Sequence, residues 1–353
     1  MREIWVMIVA AGWMSAAGGP TAWAAQPVPV FSLAWSEYPS WSAFGVAHEY
    51  HIIDGRRGKL GSIEEKWGVD IELKEADYDT CIVMYGSKQC DAACLTNMDS
   101  LAPGLARASV AILPTSTSDG ADACIVTQDI TDVKQLKAIK VYGLAKTVSE
   151  YTFVRNLELL GEAETDYRFT NMDPGAAALA MQQKQAGFNA IVVWNPFVLE
   201  TLNKRRDAHV LFDSTSIRGE IIDMVTMAQD ALDRPKGAAF ACALVEAFYE
   251  VNKKIADPST RDDALMALGE KFSHLDLKAM KKVVQQTKFY ATPDAGLTLF
   301  TGDELKATME KVVKFCVDHE IVGRKPEIAF GSETAKVALR FDPQYLATVK
   351  GGN

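Results

Sequence analysis

Short apolar runs that end abruptly at polar clusters recur along the chain, and two of them are similar to each other. Residues 91–97 read DAACLTN, residues 189–195 read NAIVVWN, and a Lys-Gln pair precedes each run. Such a run between polar turn residues is typical of a strand buried on both faces of a sheet that helices cover. Ligands bind beyond the carboxyl ends of such strands. The pair therefore predicts two similar α/β lobes that share one cleft.

The same pattern predicts strands and helices in alternation over most of the chain. The predicted strands are residues 28–35, 69–73, 91–97, 110–114, 122–126, 140–142, 167–170, 189–195, 210–212 and 217–227. The predicted helices are residues 43–50, 64–67, 78–86, 101–108, 149–160, 174–185, 197–205, 235–255, 260–274, 277–287 and 302–320. Ser149 and Asp173 are the expected N-caps of their helices.

Two stretches interrupt this alternation. Residues 115–120 read TSTSDG and are predicted to form a turn. The block from residue 235 onward is expected to contain helices but no strands, and residues 325–353 form a tail of mixed character. The order predicts two lobes joined by two chain passes, which allows the lobes to close like a hinge. Lobe one is expected at residues 27–120 and 225–353, and lobe two at residues 125–220.

The start of the chain has the pattern of an export signal. A short charged start precedes an apolar run at residues 4–17, and residues 22–24 form an A-x-A cleavage pattern. The pattern predicts a signal peptide at residues 1–25, cleavage and a periplasmic location. No other segment has the apolar length that a membrane-spanning helix needs.

Composition and charge exclude some classes of partner. The 353 residues carry a net charge of −9, which argues against a nucleic-acid or anionic-membrane surface. In an exported protein the cysteines can form disulfides, and Cys81, Cys90, Cys94 and Cys124 could form one or two bridges. Cys242 and Cys316 lie in apolar helical runs and are predicted to be buried thiols. The histidines are scattered, so neither a metal nor a cofactor is predicted.

Three longer segments point to a known family. They are KQCDAACLTNMDSL at residues 88–101, TVSEYTFVRNLELLG at 147–161 and AIVVWNPFVLE at 190–200. Together with the export signal, they resemble the periplasmic substrate-binding proteins of ABC importers in the nitrate/taurine-type (NitT/TauT) family. The T-N-M-D and W-N-P motifs are similar to those of the urea-carboxylase-associated subgroup. The likeness extends to LRFDPQYL at residues 339–346. Cysteines between residues 81 and 94 are not a feature of that family, so it implies no disulfide pattern.

The resemblance implies a fold and a role. The fold is the α/β, two-lobed periplasmic binding protein fold of type II, with two crossover segments and C-terminal helices. The role is capture of a small-molecule ligand and its delivery to a membrane permease driven by a separate ATPase, without catalysis and without a cofactor. A monomer that does not bind nucleic acid is expected.

Strand ends and helix starts that face the cleft supply the candidate ligand-binding residues. These are Trp35, Ser36, Glu37, Tyr38, Trp41, Asn97, Asp99, Ser118, Ser149, Tyr151, Trp194, Asn195 and Glu220. A wider set adds Thr96, Asp119, Glu150, Asp173 and Asp223. Each has a structural alternative: the Trp residues can be lobe-core aromatics, Asn97 and Asp99 helix caps, and the glutamates solvated surface charges.

The chemistry of this set favours one class of ligand. It is rich in carboxylates, amides and rings and contains no Arg, so it suits a small nitrogenous solute such as urea, guanidine or an amidine. Capture of a nitrate- or sulfonate-type anion is the alternative within the family. A thiamine-precursor type of enzyme on the same scaffold would have to use His48 or His51. A sensory binding protein that signals to a membrane receptor would use the same cleft.

Overall fold

The computed structural model describes residues 28–272, 274–333 and 335–352. The signal peptide expected at residues 1–25 lies outside the described residues. Over the described ranges, no helix combines the length and the apolar character that crossing a lipid bilayer requires.

The described chain contains thirteen strands and fourteen α-helices. The strands are β1 Val30–Trp35, β2 Asp70–Glu75, β3 Ala92–Thr96, β4 Ser109–Ser118, β5 Asp122–Thr127, β6 Lys140–Gly143, β7 Arg168–Asn171, β8 Ala190–Trp194, β9 Ala208–Asp213, β10 Ile222–Ala228, β11 Thr287–Phe289, β12 Ile328–Phe330 and β13 Leu339–Phe341. The helices are α1 Ala43–Glu49, α2 Ser62–Trp67, α3 Tyr78–Gly86, α4 Leu101–Ala106, α5 Val148–Leu159, α6 Pro174–Gln182, α7 Phe197–Lys204, α8 Gln229–Leu232, α9 Gly237–Ala256, α10 Arg261–Lys271, α11 Leu277–Gln286, α12 Pro293–Thr301, α13 Asp303–Asp318 and α14 Gln344–Gly351.

The strands form two sheets, and each sheet is the core of one lobe. The sheet of lobe one has the order β12-β13-β4-β10-β3-β1-β2, and β11 pairs with β4. The sheet of lobe two has the order β7-β6-β8-β5-β9. In both sheets one strand runs antiparallel to its two neighbours: β10 between β3 and β4, and β5 between β8 and β9. The two lobes therefore repeat one topology.

The two similar apolar runs occupy matching places in this repeat. The first run contains β3, which is parallel to β1 and antiparallel to β10. The second contains β8, which is parallel to β6 and antiparallel to β5. Every residue of both strands is buried. The prediction of two similar α/β lobes is confirmed.

Two short passes connect the lobes. The first leads from β4 to β5 through Gly120, and the second leads from β9 to β10 through Gly219. Both glycines have positive φ angles, +96° and +76°, which side chains other than glycine adopt only with strain. The Ser118 and Ser214 hydroxyls, one from each pass, lie 2.7 Å apart and hydrogen-bond to each other.

Several local predictions were wrong. Residues 115–118 extend β4 rather than forming a turn, because β10 and β11 pair with them on either side. Gly219 lies outside β10, which begins at Ile222. The N-cap of α5 is Thr147, whose hydroxyl accepts a hydrogen bond from the Ser149 backbone N–H, so Ser149 is not the cap. Asp173 does cap α6, through the N–H of Ala176.

The C-terminal block contains strands that the sequence pattern did not indicate. β11, β12 and β13 are each three residues long. β13 lies parallel to β4, which places the closing segment of the chain in the sheet of lobe one. A run of three residues is too short to show a period of apolar and polar positions. These strands therefore form because of their long-range pairing.

All six cysteines are free thiols buried in the protein. The bridges considered among Cys81, Cys90, Cys94 and Cys124 are not formed, while Cys242 and Cys316 are buried as predicted. Burial raises the pKa of Cys81 to about 12 and that of Cys90 to about 11, which makes both thiols unreactive at neutral pH.

Candidate functional site

A small chamber lies between the lobes, where the strands of both sheets end. Its lining residues are Ser36, Tyr38, Trp41, Tyr78, Thr96 and Asp223 from lobe one, Asp122, Val148 and Trp194 from lobe two, and Ile221 from the second pass. The space inside is about 20 Å³, on the scale of one or two water molecules. The lobes are therefore closed on each other in this structure.

The repeated topology explains which side chains meet there. β3 and β8 end at the chamber with Thr96 and Trp194. The antiparallel strands β10 and β5 begin at the same edge, so Asp223 lies opposite Thr96 and Asp122 lies opposite Trp194. Lobe one thus contributes Asp223 from β10 and Thr96 from β3. Lobe two contributes Asp122 from β5 and Trp194 from β8.

Aromatic rings form most of the chamber wall. The rings of Tyr38 and Trp41 have centroids 4.9 Å apart, and Trp41 stacks on Tyr78 at 5.3 Å with an interplanar angle of 22°. Tyr78 of lobe one meets Trp194 of lobe two edge to face at 5.9 Å. This last pair is a ring contact between the lobes, and it must separate when the lobes open.

Three buried carboxyl groups, those of Asp99, Asp122 and Asp223, lie around these rings. Asp223 accepts a hydrogen bond of 2.5 Å from the Ser116 hydroxyl. Asp99 lies behind the wall and accepts hydrogen bonds from Tyr78 and Thr96, at 2.7 Å and 2.9 Å. None of the described residues that line the chamber is Lys or Arg.

Burial in this environment makes ionisation of the carboxyl groups costly. Burial raises the pKa of Asp99 to about 6 and that of Asp122 to about 7. The pKa of Asp223 is raised well above its usual value by burial and by the like charges of Asp122 and Asp99, although hydrogen bonds from Ser116 and Tyr38 lower it. An uncompensated acidic cluster of this kind is unusual in a protein interior.

Several polar atoms at the chamber have no hydrogen-bond partner. They include the Trp41 indole N–H, in a buried side chain of the chamber wall. Nearby, the Ser149 hydroxyl at the start of α5 and the Asn195 side-chain oxygen after β8 are also buried and unpartnered. Buried polar groups are nearly always hydrogen-bonded, so such a concentration indicates a place where a polar ligand binds.

A larger cleft lies beside the chamber. This outer cleft has a volume of about 640 Å³ and shares Ser36, Tyr78 and Trp194 with the chamber. Five carboxylates line it, namely Glu37, Glu75, Asp77, Asp79 and Asp173. The pKa of Asp79 is raised by burial and by the charges of Asp173 and Asp77. Of its described lining residues, none is basic.

The structure brings some of the predicted site residues together. Ser36, Tyr38, Trp41 and Trp194 line the chamber, and Glu37 lines the outer cleft. Of the wider set, Thr96 and Asp223 line the chamber and Asp173 lines the outer cleft.

Other predicted residues lie away from the chamber. Trp35 lines a separate hollow in lobe one, together with Gly45 and His48. Asn97 donates to the Glu220 carbonyl at 3.0 Å and accepts from the Ile222 N–H at 3.1 Å, so it holds the second pass in place.

The remaining predicted residues make structural contacts around the passes. Tyr151 donates to Glu220 at 2.7 Å, and Glu220 also pairs with Arg155 at 3.0 Å and Lys311 at 2.8 Å. Burial would raise the pKa of Glu220, but these hydrogen bonds lower it to about 2. Asn195 donates across the lobes to Gln286 at 3.1 Å.

Among the chamber residues with a polar side chain, sequence reasoning missed Tyr78 and Asp122. Tyr78 is the first residue of α3, and Asp122 is the first residue of β5. A signal for both existed, since each stands at an element boundary near a crossing or a sheet edge. Over the described ranges, no group of His, Cys, Asp and Glu side chains is arranged to hold a metal ion.

Comparison with known proteins identifies the fold. No protein-family profile matches the sequence, and no curated protein does. The structure is similar to the periplasmic aliphatic sulphonate binding protein SsuA from Escherichia coli, with 16% identity, 84% of this chain and 89% of that chain covered, and a TM-score of 0.62.

Two further solved structures have the same fold. The alkanesulfonate-binding protein SsuA from Xanthomonas axonopodis pv. citri, bound to MOPS, has 12% identity, coverage of 90% and 100%, and a TM-score of 0.64. The periplasmic nitrate-binding protein NrtA from Synechocystis PCC 6803 has 14% identity, coverage of 85% and 87%, and a TM-score of 0.54. The chain therefore has the two-lobed periplasmic binding protein fold that its sequence predicted.

Proposed function

We propose that the chain is the extracytoplasmic solute-binding protein of an ABC importer, which captures a small nitrogenous solute between its lobes. The solute is of the urea, guanidine or amidine type, and a membrane permease with its ATPase receives it. The observation that carries the ligand class is the chamber itself, where buried aspartates and rings meet without a Lys or Arg among the described lining residues.

The chemistry of the chamber suits N–H donors. Asp122 and Asp223 are hydrogen-bond acceptors when ionised, and they lie on opposite lobes. The faces of Trp41, Tyr78 and Trp194 can cover a planar or cationic group. A solute that donates to both aspartates would stabilise the closed lobes, because it would contact both only when they are closed.

The sizes of the two spaces bear on how a solute would enter. A chamber of about 20 Å³ has room for only one or two water molecules, so its walls have to move apart to admit a solute of this class. The outer cleft of about 640 Å³ has the size of an ordinary ligand site, and its five carboxylates attract cations toward the chamber.

An anion is the second candidate, and one local feature favours it. Val148, the first residue of α5, lines the chamber, and the N-terminus of a helix favours negative charge. The fold neighbours named for sulfonate and nitrate binding add a reason to test it. Against it, an anion in the chamber would lie beside Asp122 and Asp223 with no basic side chain in the described lining.

The enzyme alternative has less support. It depends on His48 or His51, and neither lines the chamber or the outer cleft. His48 lines the separate hollow beside Trp35, and His51 is exposed.

Thermal melting against a panel of solutes tests the proposal. Guanidinium, acetamidinium and urea represent the favoured class, and nitrate and taurine represent the anions. A solute that binds the native state raises the melting temperature in proportion to RT ln(1 + [L]/Kd). We expect a rise with at least one nitrogenous solute and none with the anions. A rise with nitrate or taurine alone would contradict the proposed ligand class.

A pair of tryptophan variants locates the binding. Trp194→Ala removes the ring that covers the chamber from lobe two and should abolish the solute-induced rise in melting temperature. Trp67→Ala removes a ring that contacts Glu246 outside the chamber, and it should leave the rise intact. Equal losses in both variants would place the bound solute elsewhere.

A further inference from the structure

We propose that the solute is a permanent cation, and that it enters the chamber by displacing protons shared among Asp122, Asp223 and Asp99. This inference rests on the proposed function and specifies which nitrogenous solutes the chamber selects. Urea and guanidinium have nearly the same shape, so the question is one of charge.

The geometry of the chamber carries the inference. Asp122 and Asp223 line it and are almost completely buried, with 2% and 1% of their surfaces exposed. The Tyr38 hydroxyl is buried in the same wall and faces Asp223. Two buried carboxylates form an acceptor set with no basic side chain of the described lining to neutralise it. A monovalent cation would supply the missing charge.

The groups that face Asp223 come from five elements. They are Tyr38 after β1, Cys94 in β3, Asp99 after β3, Asp122 at the start of β5, and Tyr290 after β11. These groups are carboxyls, phenols and a thiol, and none of them is basic. When the chamber holds no cation, protons are the positive charge that this cluster takes up.

The pKa values agree with that picture. Burial raises the pKa of Asp122 to about 7 and that of Asp99 to about 6, and burial together with its acidic neighbours raises the pKa of Asp223 well above its usual value. At neutral pH the cluster therefore keeps protons that isolated aspartates would lose. A cation favours the ionised carboxylates, so its arrival releases protons to the solvent, and the cation binds more tightly as pH rises.

Calorimetric titration of the exported protein with guanidinium chloride, at low millimolar concentration between pH 5.5 and 8.5, tests the inference. Each proton released makes the association constant rise about tenfold per pH unit. Titrations in phosphate and in Tris, whose ionisation enthalpies differ, count the released protons directly. We expect a release of at least half a proton at pH 7, and we expect urea to bind more weakly without releasing protons.

Two variants assign the protons. Asp223→Asn and Asp122→Asn should each lower guanidinium affinity at pH 8 by at least about tenfold and reduce the number of protons released. Glu246→Gln removes another buried carboxylate, which pairs with Lys66 outside the chamber, and it should change neither quantity. If Asp223→Asn does not fold, Asp122→Asn on the opposite lobe provides the same readouts.

The possible outcomes separate this inference from the proposed function. If urea binds as tightly as guanidinium and neither releases protons, the inference is wrong while nitrogenous-solute binding stands. If guanidinium affinity does not depend on pH, the proton exchange is wrong. If only nitrate or taurine binds, both the inference and the proposed ligand class are wrong, and a panel in which no cation binds also overturns the inference.

Discussion

Some residues at the crossings are placed in the sequence like ligand-binding residues but have structural roles in the fold. Asn97 follows β3 directly, as a ligand-binding residue of a sheet edge would. Its side chain instead satisfies one carbonyl and one N–H of the second pass, and none of its surface is exposed. Thr96, the residue before it, lines the chamber. A shift of one position along the chain thus separates a lining residue from a structural one.

Replacement of Asn97 should therefore reduce stability more than a surface change does. Asn97→Ala leaves the buried Ile222 N–H without a partner, and we expect a loss of about 1–3 kcal/mol in the free energy of unfolding. Asn203→Ala, at an exposed position in α7, should change it by less than about 0.5 kcal/mol. Thermal unfolding of both variants without solute provides the measurement, and equal melting temperatures would contradict the role given to Asn97.

The buried aspartates predict how the free protein responds to pH. A folded-state pKa above the usual 3.8 means that the native state binds more protons than the unfolded state over the interval between the two values. Stability should therefore fall as pH rises from about 4 through about 7. Melting temperatures without ligand, at closely spaced pH values, measure this slope.

Removal of one of these charges should stabilise the free protein. Asp122→Asn should raise the melting temperature by a few degrees at pH 8 and flatten the pH dependence, since each pKa unit corresponds to about 1.4 kcal/mol. At pH 3 the variant and the original chain should melt within about 2 °C of each other, since Asp122 is then largely protonated in both states. A variant that is less stable at pH 8 would contradict the proposed origin of the slope.

At the scale of elements, α13 links the two lobes. Its residue Lys311 pairs with Glu220 of the second pass, and Phe315 meets Tyr151 of α5 edge to face at 5.0 Å. His319, just beyond the helix, lies 2.8 Å from Glu164 of lobe two. The helix was predicted as part of a block packed on lobe one, and its contacts with lobe two could not be read from its amphipathic pattern. Those contacts make α13 a brace on the closed arrangement.

Truncation of the ring in this brace should weaken the closed arrangement. Phe315→Ala removes a buried ring at the contact with Tyr151, and we expect a loss of about 3–5 kcal/mol in stability. Val317→Ala, at an exposed position of the same helix, should cost less than about 0.5 kcal/mol. Hydrogen exchange of α5 should accelerate in the first variant alone. Unchanged exchange in α5 would show that the brace does not couple the lobes.

At the scale of the whole molecule, function requires that the lobes open and close about two short passes. The chamber of about 20 Å³ admits a solute only if Tyr78 and Trp194 separate. Gly120 and Gly219 have positive φ angles in the two passes, where a hinge has to change its backbone angles. We propose that the lobes divide at these passes, with lobe one at residues 27–120 and 225–353 and lobe two at residues 125–220.

A matched pair of glycine variants tests the hinge. Gly120→Ala and Gly161→Ala both place a methyl group at a positive φ, and each should cost roughly 1–2 kcal/mol in stability. Gly161 follows α5 on the surface, so only Gly120→Ala should alter solute affinity, by about threefold or more. Small-angle scattering with and without solute reports closure directly. Equal effects of both variants on affinity would contradict a hinge at Gly120.

Much of this architecture could be predicted from local pattern. The periodicity of apolar residues decides which stretches are buried strands, so β3, β8 and the alternation around them, and with them the two-lobed fold, were readable from the sequence. Motif resemblance pointed to the same fold. The acidic and aromatic character of the cleft was also visible, because it depends on which residue types follow the strands.

The tertiary structure alone decided which of those side chains meet. β10 and β5 begin where β3 and β8 end, and this antiparallel register brings Asp223 and Asp122 from distant parts of the chain to one chamber. The same long-range pairing placed β13 beside β4 and turned Asn97 toward the second pass. Local pattern reports how each segment is buried, whereas register and lobe contact depend on the free energy of the whole packed chain.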